Sequence, residues 1–295
     1  YCHAWGSEAL MEGNRVIGVT FQSKEGRKAI LAGKVIDCTG DGDIFASAGC
    51  AYEKEYSGDD RSYNVSVVFR LGNVDSEEFR NWKYDPHSHY RDKLAEYKKL
   101  FGYRISPFVT PMKDIMWVNN FVEGKDCCNV QDLTDTEMLI RRSLNEGIEW
   151  IRENVPGFKN AFLHDTAPQL GTRGSRRLNG TYRLTMDDIA QTIEHEDTIA
   201  IIPAHRRMKY KSPIELPYGV MLPADDVEDL LAAGRCFSSA HDANDHANLI
   251  PHCVALGEAA GAAAAVALQS NTTFRDVDIK KVQQTLKKQG VYLPR

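Results

Sequence analysis

Val35-Ile36-Asp37-Cys38-Thr39-Gly40-Asp41-Gly42-Asp43 is the stretch that decides how the rest of the chain is read. Val35, Ile36 and their neighbours make a short apolar strand, and Gly40 and Gly42 close it in a tight turn carrying Asp41 and Asp43. Residues 44–49 then have the length of one or two helical turns. A buried strand that delivers a glycine turn to a helix start is the local architecture of an α/β nucleotide-binding unit. Two readings of residues 39–43 stand side by side: backbone and carboxylates turned toward a nucleotide, or a solvated glycine-rich turn. A calcium loop is the weakest of three, because the further ligands and terminal Glu of an EF-hand are missing.

Upstream, residues 15–21 are apolar and β-branched, residues 24–27 form a turn and residues 29–32 return, with residues 12–14 as the opening turn. This spacing predicts a small hairpin. Downstream, from about 52 to 165, strand candidates lie at 65–71 and 112–119 and a helix at 91–100. The clearest helix is predicted over 135–154: Thr134 with Glu137 makes a capping box, Ile140, Leu144, Ile148 and Ile151 form one stripe, and Pro156-Gly157 stops it. The last third returns to α/β grammar. A strand at 227–233 ends in Gly234, a polar loop covers 235–248, and a helix follows from Pro251 to about Leu268, with proline where its missing N–H matters least. Residues 257–265 of that helix have almost no side-chain bulk, so it can lie close to a sheet or a flat ligand. A final helix over 278–289 buries Ile279, Val282 and Leu286 and stops at Gly290.

The composition is that of an ordinary soluble chain: 295 residues, 42% hydrophobic and 26% charged, which excludes a disordered or collagen-like chain. Lys and Arg number 36 against 41 Asp and Glu, a net charge of −5, which argues against a nucleic-acid binder with an all-basic surface. No apolar run reaches the roughly 18 residues of a membrane span, the longest candidate around 259–268 being broken by Gly261. Seven cysteines without regular spacing read as thiols in a reducing, cytoplasmic compartment. The chain opens at Tyr1 rather than Met, and reads as a processed chain or one piece of a larger polypeptide.

Three side-chain groups carry chemistry, each beside a plainer reading. Arg173, Arg176 and Arg177, bracketed by glycine, are either an anion clamp, since guanidinium forks bind carboxylate or phosphate bidentately, or a basic surface loop. His241, Asp242, Asp245, His246, His252 and Cys253 fall within thirteen residues. They suit a transition-metal site by composition but show no zinc-finger or His-Glu-x-x-His spacing, so no metal ligands are assigned; the plain reading is a polar loop. Cys127-Cys128 reads as structural, because adjacent cysteines bridge only with strain. There is no Gly-x-Ser-x-Gly elbow and no Gly-x-Gly-x-x-Gly after a strand.

Taken in order, these segments resemble the FAD-dependent oxidoreductases that share a flavin fold with fumarate reductases. Residues 15–19 with Gly26-Arg27 look like the strand pair before that family's second FAD motif, and residues 35–43, continuing to 48–53, look like the motif itself. Residues 171–180 resemble its arginine segment, and residues 230–236 and 256–261 its carboxyl-terminal flavin motif. The resemblance implies a mixed α/β fold with a Rossmann-like FAD-binding domain: residues 1–52 and 221–295 would belong to it, with 53–220 as an inserted substrate or cap domain.

It implies FAD as cofactor, with Thr39, Gly40, Asp41, Gly42, Asp43, Gly234, Arg235, Leu249, Ile250, Pro251, Gly257 and Ala260 around it. The start of the helix at Pro251 would aim its positive end at the flavin ring. Arg173 and Arg176 would clamp a small polar or anionic substrate, and His241 or His246 would move the proton. Two departures stand out. The family's glycine fingerprint is absent, so an upstream segment or a second chain is expected to supply the ADP site. Asn248 also stands where relatives place an Arg before the last flavin helix. The rival expectations are a metal-dependent hydrolase built on residues 241–253 and a non-catalytic scaffold subunit.

Overall fold

Side-chain alternation sets the first sheet. In β2 (Arg15–Ser23) Val16, Gly18 and Thr20 are buried at every second position, and β1 (Trp5–Glu12) and β3 (Gly26–Leu31) flank it antiparallel. Gly18 is required by its neighbour: a Cβ there would stand 2.1 Å from the Ile30 carbonyl oxygen. β4 (Val35–Asp37), α1 (Asp43–Ser47) and β5 (Tyr52–Glu53) follow, as the strand–turn–helix reading requires. The computed structural model describes residues 1–54, 65–191, 193–203 and 213–293.

The described chain divides into two units, Tyr1–Glu55 with Gly174–Arg295, and Tyr56–Arg173. In the second, β7 (Phe69–Gly72), β8 (Arg104–Val109), β9 (Met116–Phe121) and β10 (Phe162–Thr166) form one antiparallel sheet in the order β10-β7-β9-β8, preceded by the short β6 (Val65–Ser66), which pairs with β11 (Gly171–Thr172). The expected continuous strand at 65–71 is interrupted at Val67 because the buried Asn120 side chain takes the place of a strand: its Oδ1 accepts the Val67 N–H at 2.9 Å and its amide donates to the Val67 carbonyl. α2 (Ser76–Tyr84), α3 (Tyr90–Phe101) and α4 (Val130–Asn154) complete the unit. α4 starts earlier than the expected 135, because Asn129 caps it by accepting the N–H groups of Gln131 and Asp132. The expected capping box does not form: Thr134 bonds back to the Val130 carbonyl and Glu137 pairs with Arg141.

The first unit resumes with β12 (Arg177–Leu178), α5 (Met186–Gln191), β13 (Thr198–Ile202), β14 (Ile214–Pro217) and β15 (Leu230–Ala232). It ends with α6 (His241–Ala247), α7 (Ile250–Ser270) and α8 (Ile279–Lys288). Residues 174–220, expected in the middle block, lie here because they bond to this unit: β12 pairs with β5, Met221 accepts the Ala232 N–H and Val220 the Ser238 N–H. β4 and β15 run parallel, with Ile36 opposite Leu231. Val35 donates to Asp229 and Asp37 accepts from Ala233, so the N–H and C=O of Ile36 point the other way. No strand stands on that edge among the described residues.

α7 is long and apolar enough to cross a membrane by length and composition alone, more so than its sequence suggested. Its Leu256, Ala259, Ala260, Ala263 and Val266 are buried in the core with Ile199, Leu216 and Phe274, as in the core helix of a globular unit. The opposite face is exposed: Ile250, Val254, Gly257, Gly261, Ala265 and Leu268, with Glu258 as the charged residue among them.

Candidate functional site

The carboxyl ends of β4 and β15 carry the candidate site, and Asp37 organises it. This carboxylate is fully buried. Its Oδ1 accepts the N–H (2.9 Å) and hydroxyl (2.7 Å) of Thr39, and its Oδ2 the N–H groups of Ile44 (3.0 Å) and Phe45 (2.9 Å). The Thr39 hydroxyl accepts the Asp43 N–H in turn. Asp37 thereby caps α1 from outside the helix, where the N-cap residue Gly42 offers no side chain. Gly40 (φ 86°) and Gly42 (φ 69°) take the left-handed backbone open mainly to glycine. Both are buried, and among the described residues their N–H groups meet no acceptor. Buried donors of this kind call for a partner, and two from one turn suit the oxygen atoms of a nucleotide.

Basic groups converge on the same turn. The Arg235 guanidinium lies over Gly40, where a Cβ would stand 2.3 Å from its Nη1, and it pairs with Asp41 at 2.9 Å. Ser175 donates to the other Asp41 oxygen at 2.7 Å. Arg176 donates to the Asp41 carbonyl and to Asp43 Oδ1, both at 2.9 Å, with its guanidinium over the Tyr52 ring. Two arginines thus balance two aspartates, and Arg176, expected beside the substrate, holds the turn instead. Arg177 is buried against the Ser239 carbonyl and Glu53. Arg183, which the sequence did not single out, forks onto Glu53 at 2.7 and 2.8 Å. Arg173 belongs to the second unit, where it faces the Phe121 ring together with Arg104.

The polar loop expected at 235–248 contains α6, with His241 at its start and His246 in its last turn. Leu249 is the N-cap of α7 and gives no side-chain bond, and Pro251 sits in the first turn. The amino end of α7 is therefore without a capping side chain. Gly257 lies on the exposed face of α7, whereas Ala260 is in the core. Gly234 (φ 95°) has open space where a side chain would stand. Burial raises the thiols of Cys38, Cys236 and Cys253, Asp37 adding to it at the first two and Arg235 opposing it at Cys253, so all three are protonated thiols at neutral pH. Among the described residues no group of three or more His, Cys, Asp or Glu side chains is placed to hold a metal ion.

A strand, a glycine turn and a helix start, with unpaired amides beside a second parallel strand, define a nucleotide-binding α/β protein. The chain belongs to the FAD dependent oxidoreductase family, whose model matches residues 1–286; its cofactor is FAD. No curated protein matches the chain. Among solved structures it is similar to a triple mutant of the flavin-dependent brominase Bmp2, at 11% identity and a TM-score of 0.40, covering 97% of this chain and 55% of that one. The geranylgeranyl bacteriochlorophyll reductase-like protein from Thermoplasma acidophilum matches at 14% and 0.45, covering 97% and 54%. The myxobacterial chondrochloren halogenase CndH matches at 10% and 0.42, covering 97% and 50%. The chain thus spans about half the length of the solved structures it matches.

Proposed function

We propose that this chain is the part of an FAD-dependent dehydrogenase that holds the flavin end of the cofactor and supplies the groups acting on a small polar or anionic organic substrate. The observation that carries the reading is the Asp37-organised turn with the buried, unpartnered amides of Gly40 and Gly42. When bound, the flavin supplies a hydride acceptor and donor at N5. Residues 39–43 and Gly234 would hold the cofactor, with Arg235 and Arg176 keeping the turn in shape. The amino end of α7, at Leu249, Ile250 and Pro251, would stabilise negative charge on the reduced ring. His241 or His246 would carry the substrate's proton.

The ADP half of FAD would be held by a glycine-fingerprint segment, upstream or on a second chain. The edge of β4 that carries no strand among the described residues supports this part of the reading, since a parallel strand pair normally has further strands and helices around it. The test is a visible spectrum and mass analysis of the intact assembly, then single-turnover flavin reduction in His241→Ala and His246→Ala. A flavin band, with one variant slowed about 100-fold or more, is expected. A stable assembly without flavin would leave the scaffold subunit as the answer; unchanged rates in both variants would remove the histidine assignment.

A further inference from the structure

One buried side chain joins the glycine turn after β4 to the start of α7. Asn244, in the middle of α6, is 1% exposed. Its Nδ2 donates to the Arg235 carbonyl at 3.0 Å and to Ser239 Oγ at 2.9 Å, and its Oδ1 accepts from Asn248 Nδ2 at 2.9 Å. The orientation of the amide is fixed by chemistry, because the Arg235 carbonyl can only accept. Asn248 ends α6, and its own carbonyl accepts the Cys253 thiol of the first turns of α7 at 3.4 Å. On the other side, Arg235 reaches Asp41 and covers Gly40. A continuous bonded path therefore runs Cys253–Asn248–Asn244–Arg235–Asp41, from the start of α7 to the glycine turn after β4.

We propose that Asn244 is a positioning residue that sets the amino end of α7 relative to the Arg235–Asp41 turn, and through it the preference of the site for reduced over oxidised flavin; the second half of this rests on the flavin reading above. α7 has no capping side chain of its own, and the α6–α7 junction is only two residues, 248 and 249. The Asn248 anchor on Asn244 is a side-chain bond that ties this junction to the Arg235 turn. A helix terminus acts on a nearby charge only over its first turn, so a small displacement there changes the charge the flavin feels without unfolding anything.

Asn244→Leu keeps the number and branching of the side-chain heavy atoms and removes all three side-chain bonds. In the flavin-free protein, amide exchange of Cys253, whose N–H donates to the Leu249 carbonyl, and of Val254 beside it is expected to rise at least tenfold over the parent. In the flavin-loaded assembly, the preference for reduced flavin is expected to fall about tenfold, about 30 mV on a two-electron midpoint potential. Asn248→Ala, which breaks only the last link at a half-exposed position, moves both readouts the same way by less and carries the test where Asn244→Leu does not fold. Lowered stability with unchanged exchange at the α7 start and an unchanged potential overturns the proposal, since simple core packing predicts that pattern. An assembly that binds no flavin overturns the flavin half, while the exchange measurement still decides whether Asn244 fixes the helix start.

Discussion

Asp37 shows how much of a site one side chain can hold. Four donors converge on its carboxylate, two of them N–H groups of buried residues, Ile44 and Phe45. Each buried donor left unpaired costs roughly 1–3 kcal/mol, so Asp37→Ala is expected to lower the unfolding free energy in urea by about 2–4 kcal/mol. Asp37→Asn retains one acceptor oxygen but turns an amide nitrogen toward two other N–H groups, and is expected to lose at least about 1 kcal/mol. If both variants unfold within about 0.5 kcal/mol of the parent, which is ordinary for surface changes, the hub reading is wrong. The glycines of this turn were legible in the sequence because they punctuate it. The role of Asp37 was not, because its partners are set by the direction in which a strand-end side chain points. Arg183 escaped because its partner Glu53 lies 130 residues away, and Asn244 because its partners, though only four to nine residues off, are a backbone carbonyl and polar side chains that no spacing pattern marks.

Periodicity made the helices and the first hairpin legible, and local competition moved their ends. The stripe of α4 was read correctly down to Ile151, while its start was placed at Thr134 because a capping-box pattern there competed with the true cap Asn129. The face of α4 also depends on Gly147, where a Cβ would stand 2.4 Å from the hydroxyl oxygen of the fully buried Tyr97. Gly147→Ala is expected to cost about 1–3 kcal/mol by overpacking, even though alanine has the better helix propensity. Adding Tyr97→Phe removes the obstructing oxygen, together with its 3.2 Å contact to the Tyr103 hydroxyl. The double variant is therefore expected to recover part of that loss, with a non-additive cycle in thermal or urea unfolding; strict additivity would show the clash is not the cause.

A second link between elements is titratable. Burial alone would raise the Glu123 carboxyl, but Lys98 of α3 and Arg104 of β8 outweigh it and hold it below the ordinary carboxylate range. A depressed folded pKa means the contribution is complete above the unfolded value of about 4.3 and is lost as pH falls through the folded value. The stability difference between the parent and Glu123→Gln is thus expected to be under about 1 kcal/mol near neutrality and to shrink toward zero below about pH 4. A difference that grows on acidification would contradict the ion-pair assignment.

At the scale of the whole chain, the boundary at 173/174 was the hardest feature to see in advance, because the pairing that draws residues 174–220 into the first unit is non-local. β12 and β5 are two residues each and far apart in sequence, too short to carry a periodic signal. The consequence is an asymmetry in how the units depend on chain connectivity. The second unit is one continuous segment with its own core around Phe69, Phe79, Tyr97, Met116, Ile148 and Phe158. The first is made from two segments, and a core that includes Val16, Val35, Phe45, Leu178 and Leu230 needs both. Residues 56–173 alone are therefore expected to unfold in a single cooperative urea transition with near-ultraviolet circular dichroism from their packed aromatics. Residues 174–295 alone lose β4, the parallel partner of β15, and with it Val35 and Phe45; they are expected to show no such transition. Adding residues 1–55 as a separate polypeptide should restore it. A cooperative transition in residues 174–295 without that addition would mean that β4 and the glycine turn are accessories to the core, and the site they carry would then be free to move independently of it.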